Sequence, residues 1–329
     1  MTTLIKTLIL KIVVALAGLG LAGSAWAAVN NHYPEKTVRI VVPLTAGSPP
    51  DIVARVVAEK LSKLWGQAVI VENKPGATGA IGMSEVARSA PDGYTVGLIF
   101  MTHTVLPSLL KKMMYETDKD LAPIGQAVWA YNVLCVPANS PFTSLQDIIA
   151  AAKGRPNQLV YGSGGNGSPS HLIAELVRQK LGLEIMHVPY RGPSEALSGL
   201  LSGDSQLMFV TTSVAAAQIK GGKLKALAVT SEKRVSALPE VPTLAELGIK
   251  GMELREWEGF VAPAGTPAGI IDKWNQALRQ VLAMNDVKQK LAELGLDTQA
   301  STPAELARII ETDLNRWPAV IKAAHINGS

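Results

Sequence analysis

The chain has 329 residues, 47% hydrophobic and 18% charged, with a formal net charge of +4 at pH 7. This composition suits a folded protein of about two domains and excludes a disordered or low-complexity chain. Lysines and arginines are scattered among acids instead of forming a stripe, so no nucleic-acid partner is expected. The first segment carries Lys6 and Lys11, a short apolar run from Ile12 to Ala22, and Ala25-Trp26-Ala27 at cleavage spacing. It reads as a signal peptide over residues 1–27, because the apolar run is shorter than the ~20 residues of a spanning helix. Its removal leaves 29 basic against 27 acidic residues, a net charge of +2. The single cysteine, Cys135, lies in the apolar run Val133 to Val136; it reads as a core residue and is too far along the chain to be a lipidated first residue. An exported product, periplasmic where the host has two membranes, is the expectation.

From Thr37 onward, short apolar runs alternate with amphipathic patterns, the grammar of βαβ units. Strands are predicted at Val38 to Val42, Ala68 to Val71 and Thr95 to Phe100, with helices between Ile52 and Leu64 and from Met83 to Arg88. After Val133 the pattern returns. Helices are expected at Leu145 to Ala152, Pro169 to Leu181 and Pro193 to Leu201, and strands at Leu159 to Tyr161, Ile185 to Val188, Gln206 to Phe209 and Ala226 to Val229. The C-terminal part reads as helix, including Ile270 to Met284 and a segment opened by Thr302-Pro303-Ala304-Glu305, a capping box with proline at the first helical position. Crossings between two lobes are placed near Val128 to Val133 and Met252 to Gly259. The expected fold is α/β and two-lobed, with mainly parallel sheets flanked by helices and a ligand cleft between the lobes. The first lobe comprises residues 28–130 plus 254–329, and the second residues 131–253.

Three helices open with a small residue and proline directly after a strand: Ser48-Pro49, Ser168-Pro169 and Gly192-Pro193. A fourth strand is followed by the glycine-rich run Gly76 to Gly82. Such turns lie at the carboxyl ends of parallel strands, where ligands collect and helix N-termini offer free N–H groups to anions. Any α/β protein needs Gly, Pro and caps there, so one loop alone would mean little. Thr45 and Ser48 in the first loop, with Ser163, Asn166, Ser168, Ser170 and His171 in the second, add the hydroxyl and polar groups that suit a carboxylate.

Other chemistries fit less well. Gly162-Ser163-Gly164-Gly165-Asn166-Gly167 matches a dinucleotide fingerprint with Glu184 downstream, but it lies mid-chain, runs into Ser168-Pro169 and belongs to an exported protein. The histidines His32, His103, His171, His187 and His325 have no metal-ligand spacing, so no metal or cofactor is expected. Ser168 with His171 lacks a nucleophile elbow and reads as a helix cap, so no catalytic residue is assigned. His103 and His171 are candidates for touching a ligand, as is Trp257 at the predicted crossing.

Eight blocks carry a family resemblance: Tyr33–Pro43 (YPEKTVRIVVP), Val71–Ala77 (VENKPGA), Ala90–Thr95 (APDGYT), Tyr161–Gly164 (YGSG), His187–Gly192 (HVPYRG), Gly222–Ser231 (GKLKALAVTS), Leu238–Thr243 (LPEVPT) and Ala262–Pro267 (APAGTP). In this order, over nearly the whole chain after residue 27, they resemble the substrate-binding family of tripartite tricarboxylate transporters, the Bug receptors. The resemblance implies a type II-like periplasmic receptor, monomeric and without catalysis, that delivers a small carboxylate to large and small integral-membrane subunits. A sensory receptor and a periplasmic enzyme are the alternatives. Carried over residue by residue, the ligand loops are Leu44, Thr45, Ala46, Gly47 and Ser48, and Ser163, Gly164, Asn166, Gly167, Ser168 and His171. Gly76, Ala77, Thr78, Gly79, Thr102, His103 and Tyr190 close the remaining walls. The sequence departs from the family at Leu44, where an aromatic is usual, and at Val210, where amino-acid-binding members carry an Asp that meets the ligand's ammonium. A carboxylate without an amino group is therefore expected, aliphatic or aromatic, although Leu44 and Val210 equally suit repacked wall residues.

Overall fold

The structure, a computed structural model, describes residues 32–250, 252, 255–323 and 326, so the expected signal peptide and His325 lie outside the described residues. The described residues from 36 onward form one compact unit, and the fold below is that unit's. In chain order its elements are β1 (Val38–Val42), α1 (Pro49–Trp65), β2 (Val69–Asn73), α2 (Ala80–Ala87), β3 (Thr95–Phe100), α3 (Thr102–Leu109), β4 (Leu121–Ala130), β5 (Asn132–Pro137), α4 (Leu145–Gly154), β6 (Val160–Ser163) and α5 (Pro169–Leu181). They continue with β7 (Met186–Pro189), α6 (Pro193–Ser202), β8 (Met208–Thr211), α7 (Thr212–Lys220), β9 (Leu224–Val229), β10 (Glu256–Pro263), α8 (Ala268–Ala283), α9 (Asn285–Glu293), β11 (Leu296–Thr298) and α10 (Pro303–Ala323).

The first sheet has six strands in the order β11-β4-β10-β3-β1-β2. The second half holds a three-stranded sheet, β8-β5-β9, and the pair β6-β7. Mainly parallel sheets were the expectation, and the pairing corrects it: β1 runs parallel to β2 and β3, and β6 to β7, while the ladders of β4, β5 and β10 are antiparallel. The crossings are the cause. The chain leaves the first sheet through β4, reaches β5 after a single residue and returns through β10, so the outgoing and returning strands lie side by side in opposite directions.

Strand β5 is apolar on both faces and buried on both. Leu134 and Val136 join a core with Tyr161, Ile173, Phe209 and Leu227, whereas Val133 and Cys135 join another with Leu200, Met208, Val210 and Val229. Cys135 is a core residue as expected, and burial pushes its thiol pKa up. In the first half, Val41, Met83, Ile99, Leu106 and Trp257 pack with Leu306, Ile310 and Trp317 of α10.

The capping box at Thr302 is present: its hydroxyl accepts from the Glu305 N–H at 3.2 Å, and Glu305 accepts from the Thr302 N–H at 2.7 Å. A second, Ser144 with Asp147, opens α4. Two helices carry no clear sequence signal. Helix α3 follows β3 immediately, and α7 has small residues with little amphipathic contrast, so neither interrupts the apolar text clearly.

Candidate functional site

A cavity of about 230 Å³ is lined by residues of both halves, a size that suits a small metabolite. The N-terminal ends of four helices meet on it: Pro49 and Pro50 of α1, Ser168 to Ser170 at α5, Pro193 and Ser194 of α6, and Thr211 to Val214 at α7. All three small-residue–proline turns singled out in the sequence therefore border one space. A helix start carries a partial positive charge, so this wall attracts anions; Pro49, Pro50, Pro169 and Pro193 have no N–H, which leaves donation to the residues that follow them in the first turns.

Each loop is held by local chemistry. Ser168 caps α5, its Oγ accepting from the His171 N–H at 3.4 Å and lying 3.1 Å from Ser170 Oγ, while Ser170 Oγ accepts from the Gly164 N–H at 3.1 Å. Ser48, by contrast, makes no side-chain cap, and buried Asp51 does the tethering for α1. Asp51 accepts from the Gly47 N–H, Arg55 Nε and Asn73 Nδ2, each at 2.9 Å, and Asn73 also donates to the Leu44 carbonyl at 3.0 Å. Burial works against the charge, yet the hydrogen bonds from Arg55, Gly47 and Asn73 hold the Asp51 carboxyl below its ordinary pKa.

Of the sequence-selected residues, Leu44, Thr78, Thr102, Gly164, Ser168 and Val210 line the cavity. The others stand behind it or away from it. Thr45, Ala46, Gly47, Ala77 and Asn166 are exposed, and Gly76, Gly79, Ser48 and Gly167 shape the loops without forming the wall. Ser163 is wholly buried with Oγ 2.6 Å from His187 Nε2. His171 stacks on His187 at 3.8 Å, and its Nδ1 accepts from the Gly167 N–H at 3.0 Å, which fixes a neutral ring protonated at Nε2. Burial lowers the pKa of both imidazoles to about 4. Beneath them Tyr161 donates to Glu175, whose carboxylate also takes Arg178 at 2.7 Å. His103 is fully buried in the first half, with Nδ1 3.0 Å from the Phe100 carbonyl. Tyr190 packs its ring against Gly199 and Gly162. His103, His171, Ser163 and Tyr190 are therefore supports of the loops and not cavity wall.

Trp257 is a clear correction. Strand alternation turns it away from the cavity, where its Nε1–H donates to Asp313 at 2.7 Å inside the first core. Its neighbours Glu256 and Glu258, neither of them a candidate from the sequence, face the cavity instead. The available signal was two acids flanking a tryptophan at period two in an otherwise apolar run. Glu256 receives a hydrogen bond from Asn132 Nδ2, whereas Glu258 is 4% exposed and its Oε2 has no hydrogen-bond partner in the protein. Burial pushes Glu258 up to about 8, with Glu256 adding repulsion, and Glu256 up to about 7 against the Asn132 bond.

A pH dependence follows. An unfolded glutamate titrates near ~4.3, so between that value and about 8 the folded protein holds more protons at these carboxyls than the unfolded chain, and stability falls as pH rises. The buried histidines act in the opposite sense, but only below their unfolded pKa of ~6.5. Thermal melts between pH 6.5 and 8 are expected to show a decline on the order of 1 kcal/mol per pH unit, which Glu258→Gln flattens. Parallel curves for the two proteins would show that Glu258 keeps an ordinary pKa.

The fold and the cavity define a two-lobed solute-binding protein of the periplasmic type. The family description "Tripartite tricarboxylate transporter family receptor" matches residues 53–326, and the chain belongs to that family. Among solved structures it is similar to the periplasmic binding protein BugD, with 35% identity, 90% of this chain and 100% of that one covered, and a TM-score of 0.80. A Rhodopseudomonas palustris protein solved with adipate aligns at 33% identity over 90% of this chain and 100% of its own, with a TM-score of 0.84. MatC from the same organism, solved with bound malate, gives 30% identity, 88% and 100% coverage, and a TM-score of 0.78.

Proposed function

We propose that this protein is a periplasmic receptor that captures a small mono- or dicarboxylate and presents it to the integral-membrane subunits of a tripartite tricarboxylate-type transporter. The observation that carries this reading is the meeting of four helix N-termini, with the hydroxyls of Ser168, Ser170, Thr211 and Ser213, on one cavity. Ser213 Oγ, buried without a hydrogen-bond partner in the protein, supports the reading, because a buried hydroxyl in that condition calls for an acceptor. Adipate and malate in the two similar structures belong to the same chemical class. In this reading the protein acts as a monomer exported by residues 1–27, with lobes of residues 28–130 plus 254–329 and 131–253. Binding is coupled to lobe closure, and no residue performs catalysis.

The experiment is a thermal-shift screen of the purified protein against mono-, di- and tricarboxylates, aromatic acids and amino acids. A ligand that binds only the folded state raises Tm by mass action. Ser168→Val is expected to fold and to weaken carboxylate binding by ~1–3 kcal/mol. Unchanged affinity would remove the α5 loop from the site, and a screen in which no acid raises Tm would remove the carboxylate reading itself.

A further inference from the structure

We propose that Glu256 and Glu258 are the specificity-determining residues of the cavity and select a carboxylate that also carries a protonated, hydrogen-bond-donating nitrogen. This rests on the receptor reading above and names the ligand class within it. Two carboxyl groups on alternate residues of β10 face the cavity from one strand. A register irregularity directly after Glu258, in the pairing with β4, is the kind of bulge that re-aims side chains. Among the described residues that line the cavity there is no lysine, arginine or histidine.

The protein thus supplies acids without a cation to balance them. Asn132 ties down one oxygen of Glu256, which leaves Glu258 Oε2 as a buried acceptor without a donor. A buried polar group in that condition calls for a partner, and a carboxylate gains most from a charged N–H donor. Burial raises both carboxyls toward neutrality when nothing compensates them, and a ligand ammonium reverses that by favouring the charged forms. A second ligand carboxylate placed here would instead need a shared proton. The helix N-termini take the ligand's carboxylate, so the cavity holds opposite signs of charge on different elements and suits a zwitterion. The expectation of an unaminated ligand drew on Val210 in β8; Val210 does line the cavity, but β10 supplies the acids that β8 lacks.

The test is calorimetry of the purified protein at pH 7.5 with matched probes: butanoate against 2-aminobutanoate and 4-aminobutanoate, pentanoate against 5-aminopentanoate, with pentanedioate and butylamine as controls. In the wild type, at least one amino acid is expected to bind tenfold or more tightly than its unaminated partner. In Glu258→Gln, which keeps the shape and removes the charge, that advantage is expected to fall below threefold. Glu256→Gln gives a second reading of the same ratio if the first variant is unstable. Wild-type binding of pentanoate or pentanedioate at least as tight as that of every amino acid would overturn the inference and leave the receptor reading standing. Binding of butylamine with no response to any acid would uphold the acidic pair and overturn the carboxylate reading.

Discussion

Trp257→Ala is expected to cost ~3–5 kcal/mol of stability, on the order of ten degrees in Tm, the largest loss anticipated from one truncation. The ring is 1% exposed and packs in the core that joins β3 and α2 to α10. Removal leaves a cavity and also strips the Asp313 carboxyl of its 2.7 Å indole donor. Burial already raises the Asp313 pKa against that bond, so the acid left behind would retain a proton more readily. Trp257→Phe keeps most of the ring and loses only the donor, for an expected ~1–3 kcal/mol. Chemical denaturation of both variants measures these values. Because the side chain points away from the cavity, Trp257→Phe is expected to leave ligand affinity within twofold. A tenfold loss of binding in a well-folded Trp257→Phe protein would return the residue to the site.

Gly167→Val is expected to destabilise the protein by ~2–5 kcal/mol and to weaken ligand binding as well. Gly167 has φ +74°, where a β-branched residue is strained, and a Cβ built there lies 1.9 Å from Leu109 Cδ1. Leu109 ends α3 in the first half, whereas Gly167 precedes the Ser168 cap of α5 in the second. The added side chain must therefore push Leu109 aside or move the α5 start relative to α3, and the cavity lies between those halves. Combining it with Leu109→Ala removes the overlap but not the strain. The double variant is expected to be more stable than the sum of the two single losses predicts, with part of the binding restored. Strict additivity in stability and affinity would show that the glycine serves its own backbone conformation alone.

The first strand, the third strand and helix α5 lie where the apolar spacing placed them, since their signals are local: a run of β-branched residues, a proline at a first helical turn, a serine before it. The proline-led turns that border the cavity were legible for the same reason. His103 and His171 read as ligand contacts because polar residues near strand ends look alike in a sequence, and burial turned both into supports. Ser163 changed role likewise, whereas half-buried Tyr190 packs its ring against Gly199 and Gly162.

The sequence by itself determined the α/β class, the helix starts that concentrate free N–H groups and the family to which the chain belongs, because each depends on spacing within a few residues or on blocks read in order. Only the tertiary structure decided which side of β10 faces the cavity. Alternation puts Trp257 on one face and Glu256 and Glu258 on the other, but which face is inward depends on strands and helices more than a hundred residues apart in the chain. The acidity of the cavity belongs to that second kind of information, because a carboxyl's charge depends on the desolvation its neighbours impose and on the hydrogen bond that Asn132 brings from the other half.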